Sequence, residues 1–177
     1  MTAFLRLLRR RRSVRRYRDR PLGPGILRLL QEAVLRAPSS RGLDPWEFVF
    51  VTDRDVLRRL ARAKPHGSSF LAGAALGIAV CADPRRADTW IEDASIASLL
   101  AHLAAASLGL GSCWIQIRRR PHDARTSAEA WVRKVLGIPR RLRVLSLLAV
   151  GRPAARPRGI PARRLRWDRI HRERWGG

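Results

Sequence analysis

The chain has 177 residues, the length of one domain, and its 46% hydrophobic content is that of a globular protein with a real core. Its 37 Lys and Arg against 14 Asp and Glu give a formal net charge of +23, which invites a polyanionic partner. Only Lys64 and Lys134 are lysines, so most of this excess reads as an arginine-biased composition spread over solvated surface.

Phe4, Leu5, Leu7 and Leu8 predict a short amphipathic helix that ends near the run "RRRRSVRRYRDRPL", Arg9 to Leu22. A proline start follows in "LGPG", and Ile26, Leu27, Leu30, Ala33, Val34 and Ala37 share one helical face until Pro38 stops it. "PSSRGLDPW" is a loop by its serines, glycine and prolines. Glu47 to Thr52 reads as a strand, and Asp53 caps a helix carrying Val56, Leu57, Leu60 and Ala61. Leu76 to Ala82 is continuously apolar, as a buried central strand is. A long helix runs from about Trp90 to Leu108 and ends at Gly109. "SCWIQI" is a third strand. "TSAEAWVRKVLG" is a helix with Thr126 or Ser127 as cap and Gly137 at its end, and "LRVLSLLAVG" is a fourth strand. Residues 152–177 then turn to Pro, Arg and Trp. Their Ile160, Leu165, Trp167, Ile170 and Trp175 need a surface to cover, and a second subunit supplies one. The expectation is one α+β domain over 1–177 with an extended C-terminal arm.

Cys81 and Cys113 lie in apolar runs without CxxC spacing or a His cluster, so buried, reduced thiols are expected and no metal site is indicated. No apolar leader follows the N-terminal arginines, and the longest apolar stretch is broken by His102, Ser and Gly. A cytoplasmic protein with no membrane partner is expected. His102 reads as a satisfied or interfacial histidine. Lys64 and His66 sit in a surface-loop sequence, "KPHGSSF".

Four segments, "RRSVRRY", "APSSRGLDPWEFVFVTD", "ADTWIEDASIASLLAHLAAASLGLGSCWIQI" and "VGRP…IPARRLRWDRIH", occur in order from about Leu8 to Trp175. Together they resemble the FMN-dependent nitroreductase family in its compact form. That resemblance implies a mixed central β-sheet flanked by helices, with the arm wrapping a partner subunit in a homodimer that holds FMN at the interface. It also implies hydride transfer from NADH or NADPH through the flavin to a small-molecule acceptor such as a nitroaromatic or quinone. No protein side chain need be covalently involved.

The residues support it. A phosphate monoester carries two negative charges or nearly so, and arginine forks beside a hydroxyl suit it. In an extended "RRSVR", Arg11, Ser13 and Arg15 point to one side and Arg12 to the other. The resemblance assigns Arg11 and Arg15 to the phosphate and ribityl side, Ser13 to a hydrogen bond there, and Arg12 to the ribityl chain. It places Pro38, Ser39, Ser40 and Gly42 against the partner's flavin. Gly42 and Asp44 depart from the Asn and Gln common at those positions. Trp114, Ile115 and Gln116 pass the ring edge, with the Gln116 N–H as donor to N5. Arg164, with Arg163 as alternate, adds a phosphate contact from the tail, and Lys64 and His66 are further candidates for the phosphate end. A basic nucleic-acid-binding module is the rival reading of the charge, but no helix-turn-helix, zinc-finger or RNA-binding strand pattern accompanies it. A family member that uses FMN for dehalogenation or flavin cleavage is the other alternative.

Overall fold

Helix α1 (Ala3–Arg10) begins where the Thr2 hydroxyl accepts the Leu5 N–H, and it releases into extended backbone at Arg11. The computed structural model describes residues 2–155 and 157–176. Helix α2 (Pro24–Leu35) starts on its proline. Strand β1 (Trp46–Val51) leads into α3 (Arg54–Ala61), whose cap is the Asp53 carboxylate accepting from Val56 N–H. Strand β2 (Leu76–Ala82), the long helix α4 (Trp90–Ser107) and strand β3 (Gly111–Gln116) follow. Helix α5 (Ala128–Leu136) is capped by Ser127 and closed by Gly137 at φ 66°, and strand β4 (Arg143–Gly151) completes the sheet.

The strand order is β1-β2-β4-β3, every neighbouring pair antiparallel. Among the described residues the parallel component is a single bridge from Ser13 to Ser112 on the outer edge of β3. Helices cover both faces. Leu57, Leu60, Val132 and Ile138 pack with Ile115, Ile117 and Leu147 on one, while Leu30, Val34, Ala101 and Ala105 pack with Ile78, Leu148 and Val150 on the other. That two-sided cover is why β2 is an unbroken apolar run, buried at every residue. Helix α4 meets the sheet through Ala94, Ala97, Ala101 and Ala105, all fully buried, and its buried Ser98 is satisfied by Ala94 C=O and Ser146.

Beyond Gly151 the tail carries two short 3₁₀ turns, Ala162–Arg164 and Trp167–Arg169. Its apolar groups stay in solvent, with Trp167 64% and Trp175 88% exposed. Arg156 and Gly177 of the expected arm lie outside the described residues. Among the described residues no helix is long and apolar enough to cross a membrane.

Where the arginine run meets the sheet, Val14 is buried over Gly111, and a Cβ at Gly111 would stand 2.7–2.8 Å from three carbons of Val14. Gly111→Ala should therefore destabilise the fold by about 1–3 kcal/mol, the usual cost of an extra carbon in a packed site. The measurement is the urea midpoint; an unchanged midpoint would show that Val14 moves aside freely.

Candidate functional site

The arginine run is spliced onto the sheet by backbone and apolar contacts. Val14 N–H donates to Ser112 C=O at 2.9 Å, Arg18 N–H to Arg152 C=O at 2.8 Å, and Ala154 N–H to Arg16 C=O at 2.9 Å. The Tyr17 hydroxyl donates to Val14 C=O, and its ring packs on Gly151. These contacts divide the arginines differently from simple alternation. Arg11 is the residue that ends α1, so Arg11 and Arg12 turn together into one cleft of about 470 Å³. Arg10, Ser107, Ser112, Pro157, Arg158 and Gly159 also line it.

Arg15 belongs to a second group. Its guanidinium lies 5.7 Å from the Phe70 ring centre, and with Ser13 and Lys64 it surrounds the buried Cys113 thiol. Burial, then the neighbouring Arg120 charge, lowers the Lys64 pKa. Ser112 and Cys113 are consecutive in a strand and so face opposite sides of the sheet, which is why the two basic groups flank β3 rather than merge. Among the described residues, none of Arg10, Arg11, Arg12, Arg15, Lys64, Arg120 and Arg158 has an acidic side chain within ion-pair distance. Both groups are thus positive charge in want of an anion.

Between them runs an open edge. Ile117 N–H donates to Leu145 C=O, and in the antiparallel register this sets the N–H groups of Cys113 and Ile115 toward β4. Those of Trp114 and Gln116 point outward. The side chains there are already engaged: Trp114 Nε1–H donates to Gln116 Oε1 at 3.0 Å, and Gln116 Nε2–H to Arg118 C=O at 3.0 Å. Ile115 is core. Of the three expected edge residues, Gln116 and Trp114 can offer main-chain donors and Ile115 cannot.

The loop Pro38–Asp44 is tied down by hydrogen bonds. Ser40 N–H donates to the buried Asp93 carboxylate at 2.9 Å, which also accepts from the Thr89 hydroxyl. The Ser39 hydroxyl donates to Asp44 and accepts the Asp44 N–H. Arg41, Gly42 and Asp44 all have positive φ (55°, 66° and 43°). Asp93 and His102 are nine residues apart on α4, roughly 14 Å at 1.5 Å per residue, so one subunit does not bring this loop to the arginine cleft. Arg163 and Arg164 stand exposed on the first tail turn, whereas the tail residues that reach the cleft are Pro157, Arg158 and Gly159. His66 is exposed. Arg10, Arg120 and Arg158 carried no sequence signal beyond the general arginine excess.

The Nitroreductase family model matches residues 8–66 and 62–152. The chain belongs to the nitroreductase family. A nitroreductase-family relative from Archaeoglobus fulgidus, provisionally named NADH dehydrogenase/NAD(P)H nitroreductase, is 36% identical over 99% of this chain and 100% of its own length. The solved structure of an FMN-dependent nitroreductase from Clostridium difficile R20291 superposes with a TM-score of 0.94 at 36% identity, covering 96% of this chain and 98% of that one. A Parabacteroides distasonis protein with the same provisional name as the archaeal relative gives 0.89 at 33% identity, over 99% and 100% of the two chains. The family fold and its α+β class are thereby established for this chain, with the sheet, helices and arginine splice already described.

Beneath the cleft, His102 is 7% exposed and its Nδ1 lies 2.7 Å from Ser112 Oγ. Burial, then the Arg11 charge, pushes its pKa down to about 4. An unfolded histidine titrates near 6.5, so the unfolded chain takes up the proton first. The stability that neutral His102 provides is therefore lost progressively as pH falls from about 6.5 to about 4. Urea unfolding of flavin-free protein between pH 7 and 4.5 should show wild type losing stability faster than His102→Gln; parallel curves would contradict it.

Proposed function

We propose that the protein is a homodimeric, cytoplasmic FMN-dependent oxidoreductase, using NADH or NADPH to reduce a small acceptor such as a nitroaromatic or quinone by ping-pong turnover. The observation that carries this is the open edge of β3, with outward N–H groups and an uncompensated basic group on each side. FMN fits such a frame, because it has a phosphate at one end and a ring that gains negative charge on reduction at the other. Bound there, it supplies the chemistry, accepting hydride from the nicotinamide and passing electrons to the acceptor.

Arg11 and Arg12 bind the phosphate as fixed, always-charged forks, with Arg158 beside them. Arg163 and Arg164, exposed on the tail turn, are further phosphate candidates from the tail. Gln116 N–H orients the ring at N5, its position held by the Trp114–Gln116–Arg118 hydrogen bonds. Arg15 and Lys64 face the N1–C2=O side, where they stabilise charge on the reduced ring. Pro38, Ser39, Ser40 and Gly42 serve the partner's flavin, which accounts for their distance from the arginine cleft along α4.

The dimer completes surfaces that one subunit leaves open. Strand β1 is a sheet edge, and beside it Gln31, Val34, Leu35, Trp46, Phe48 and Phe50 line an apolar groove of about 460 Å³. Trp46 Nε1 is buried there with no hydrogen-bond partner among the described residues. The partner's arm, with its exposed Ile160, Leu165, Trp167 and Ile170, is the segment that covers it.

Purified protein should bind FMN, seen as quenching of flavin fluorescence. Arg11→Ala or Arg15→Ala should weaken binding by about one to two decades, since each removes a charge-assisted contact worth roughly 1.5–3 kcal/mol. Arg9→Ala and Arg18→Ala should do much less. Small, equal effects at all four positions, with tight and steeply salt-dependent DNA binding, would favour a nucleic-acid arm instead.

Light scattering at micromolar concentration should report a dimer, held by an interface above about 2,000 Å² of total buried area. Deleting residues 161–177 should shift it toward monomer. A full-length, FMN-bound monomer would sink the interface-site arrangement.

A further inference from the structure

We propose that His102 is a positioning residue beneath the arginine cleft, whose imidazole takes up a proton at mildly acidic pH when a phosphate monoester seats on Arg11. The proposal rests on the reading that this cleft holds the phosphate of FMN.

His102 sits in a helix that meets the sheet mainly through alanines and Ser98, and its polar partner is Ser112 Oγ at 2.7 Å. Ser112 in turn lines the cleft, and its carbonyl is fixed by Val14 N–H. The imidazole therefore lies one hydroxyl away from the anion site. After burial itself, Arg11 is the charge that disfavours its protonation. Arg10, Arg12 and Arg158 line the same cleft, and no acidic residue does. Around α4, the charged groups of α1 (Arg6, Arg9, Arg10), α2 (Arg28, Glu32), β1 (Glu47) and β4 (Arg143) are exposed to solvent, and the second core meets the helix with apolar side chains. Without a bound anion, burial and the like charge of Arg11 keep His102 neutral. A phosphate dianion both offsets Arg11 and adds opposite charge, and each change favours the imidazolium.

The proton alters the direction of one hydrogen bond. Facing a neutral imidazole with its lone pair on Nδ1, the Ser112 hydroxyl donates inward to the ring. Once Nδ1 carries a proton it donates to Ser112 Oγ, and the hydroxyl proton is released to point into the cleft. The serine thus becomes a donor to the phosphate only when the phosphate is there. His102 acts through Ser112 and touches no ligand.

The test follows the His102 ring by ¹⁵N NMR in full-length protein, assigned by its loss in His102→Gln. Titrations run from pH 7.5 to 3.5, so that a midpoint near 4 is reached, with no ligand, with FMN, and with riboflavin, which lacks the phosphate. FMN should raise the His102 midpoint by about one unit or more, as a nearby opposite charge does. Riboflavin should leave it where it was. In parallel, the FMN affinity of wild type relative to His102→Gln should rise severalfold between pH 7 and 5. A midpoint unmoved by FMN, or moved equally by riboflavin, overturns the proposal while leaving FMN binding standing. Absence of FMN binding, or FMN binding indifferent to Arg11→Ala, overturns the parent reading and this proposal with it.

Discussion

The approach of Val14 to Gly111 is the constraint on which the arrangement of charge depends. Arginines 9 to 20 repel one another, and at +23 the chain has few acidic groups to spare for them. Those it has are largely spent elsewhere, as in Glu129 gripping Arg143 and Asp83 gripping Arg85. What fixes the run is uncharged: a valine on a glycine, backbone bonds to Ser112 and Arg152, and a tyrosine against Gly151. Such contacts are indifferent to salt, whereas ion pairs on a surface are weak and screened. The guanidinium groups are held apart and unsatisfied by a frame that does not need them.

That frame also explains why the basic groups come as two. Val14 is one residue of a strand-like segment, and its inward turn commits the residues on either side. Arg11 and Arg12 leave with the end of α1 toward one face of β3, and Ser13 and Arg15 toward the other. A single pool of positive charge would suit any polyanion. Two groups with an edge of aimed N–H donors between them suit a molecule that is anionic at both ends and polar along one side.

Much of the fold was legible because its signals are local. Asp53, Ser127, Gly109 and Gly137 mark helix ends by the hydrogen bonds and left-handed backbone those ends require, and the apolar run of β2 announces cover on both faces. The site was legible in part. Alternation placed Arg11 with Arg15, but a helix ends between Arg10 and Arg11, so the period of two does not begin until Arg12. Arg120 and Arg158 enter through the paths of loops, which no periodicity encodes. The His102–Ser112 bond joins residues ten apart across a turn, and only the packing of α4 on β3 makes them neighbours. The outward direction of the Gln116 N–H depends on strand register, a property of two segments rather than one.

The loop at Pro38–Asp44 carries a consequence for how this protein can drift. The Ser39 hydroxyl is both donor and acceptor to Asp44, so neither side chain has much left for a ligand. Ser40 is gripped by its own N–H, and Gly42 has no side chain to give. The loop's shape is therefore maintained from within, and what it can present is main chain. Recognition through peptide groups does not read side-chain identity. Residue 42 is thus free to change across evolutionary time while the carbonyls and amides keep their places, provided that its replacement tolerates a left-handed backbone, whereas Asp44 is tied to Ser39. The same economy makes the loop a poor target for retuning by point substitution, and directs an engineer instead to Asp93, the buried anchor that decides where the whole segment sits.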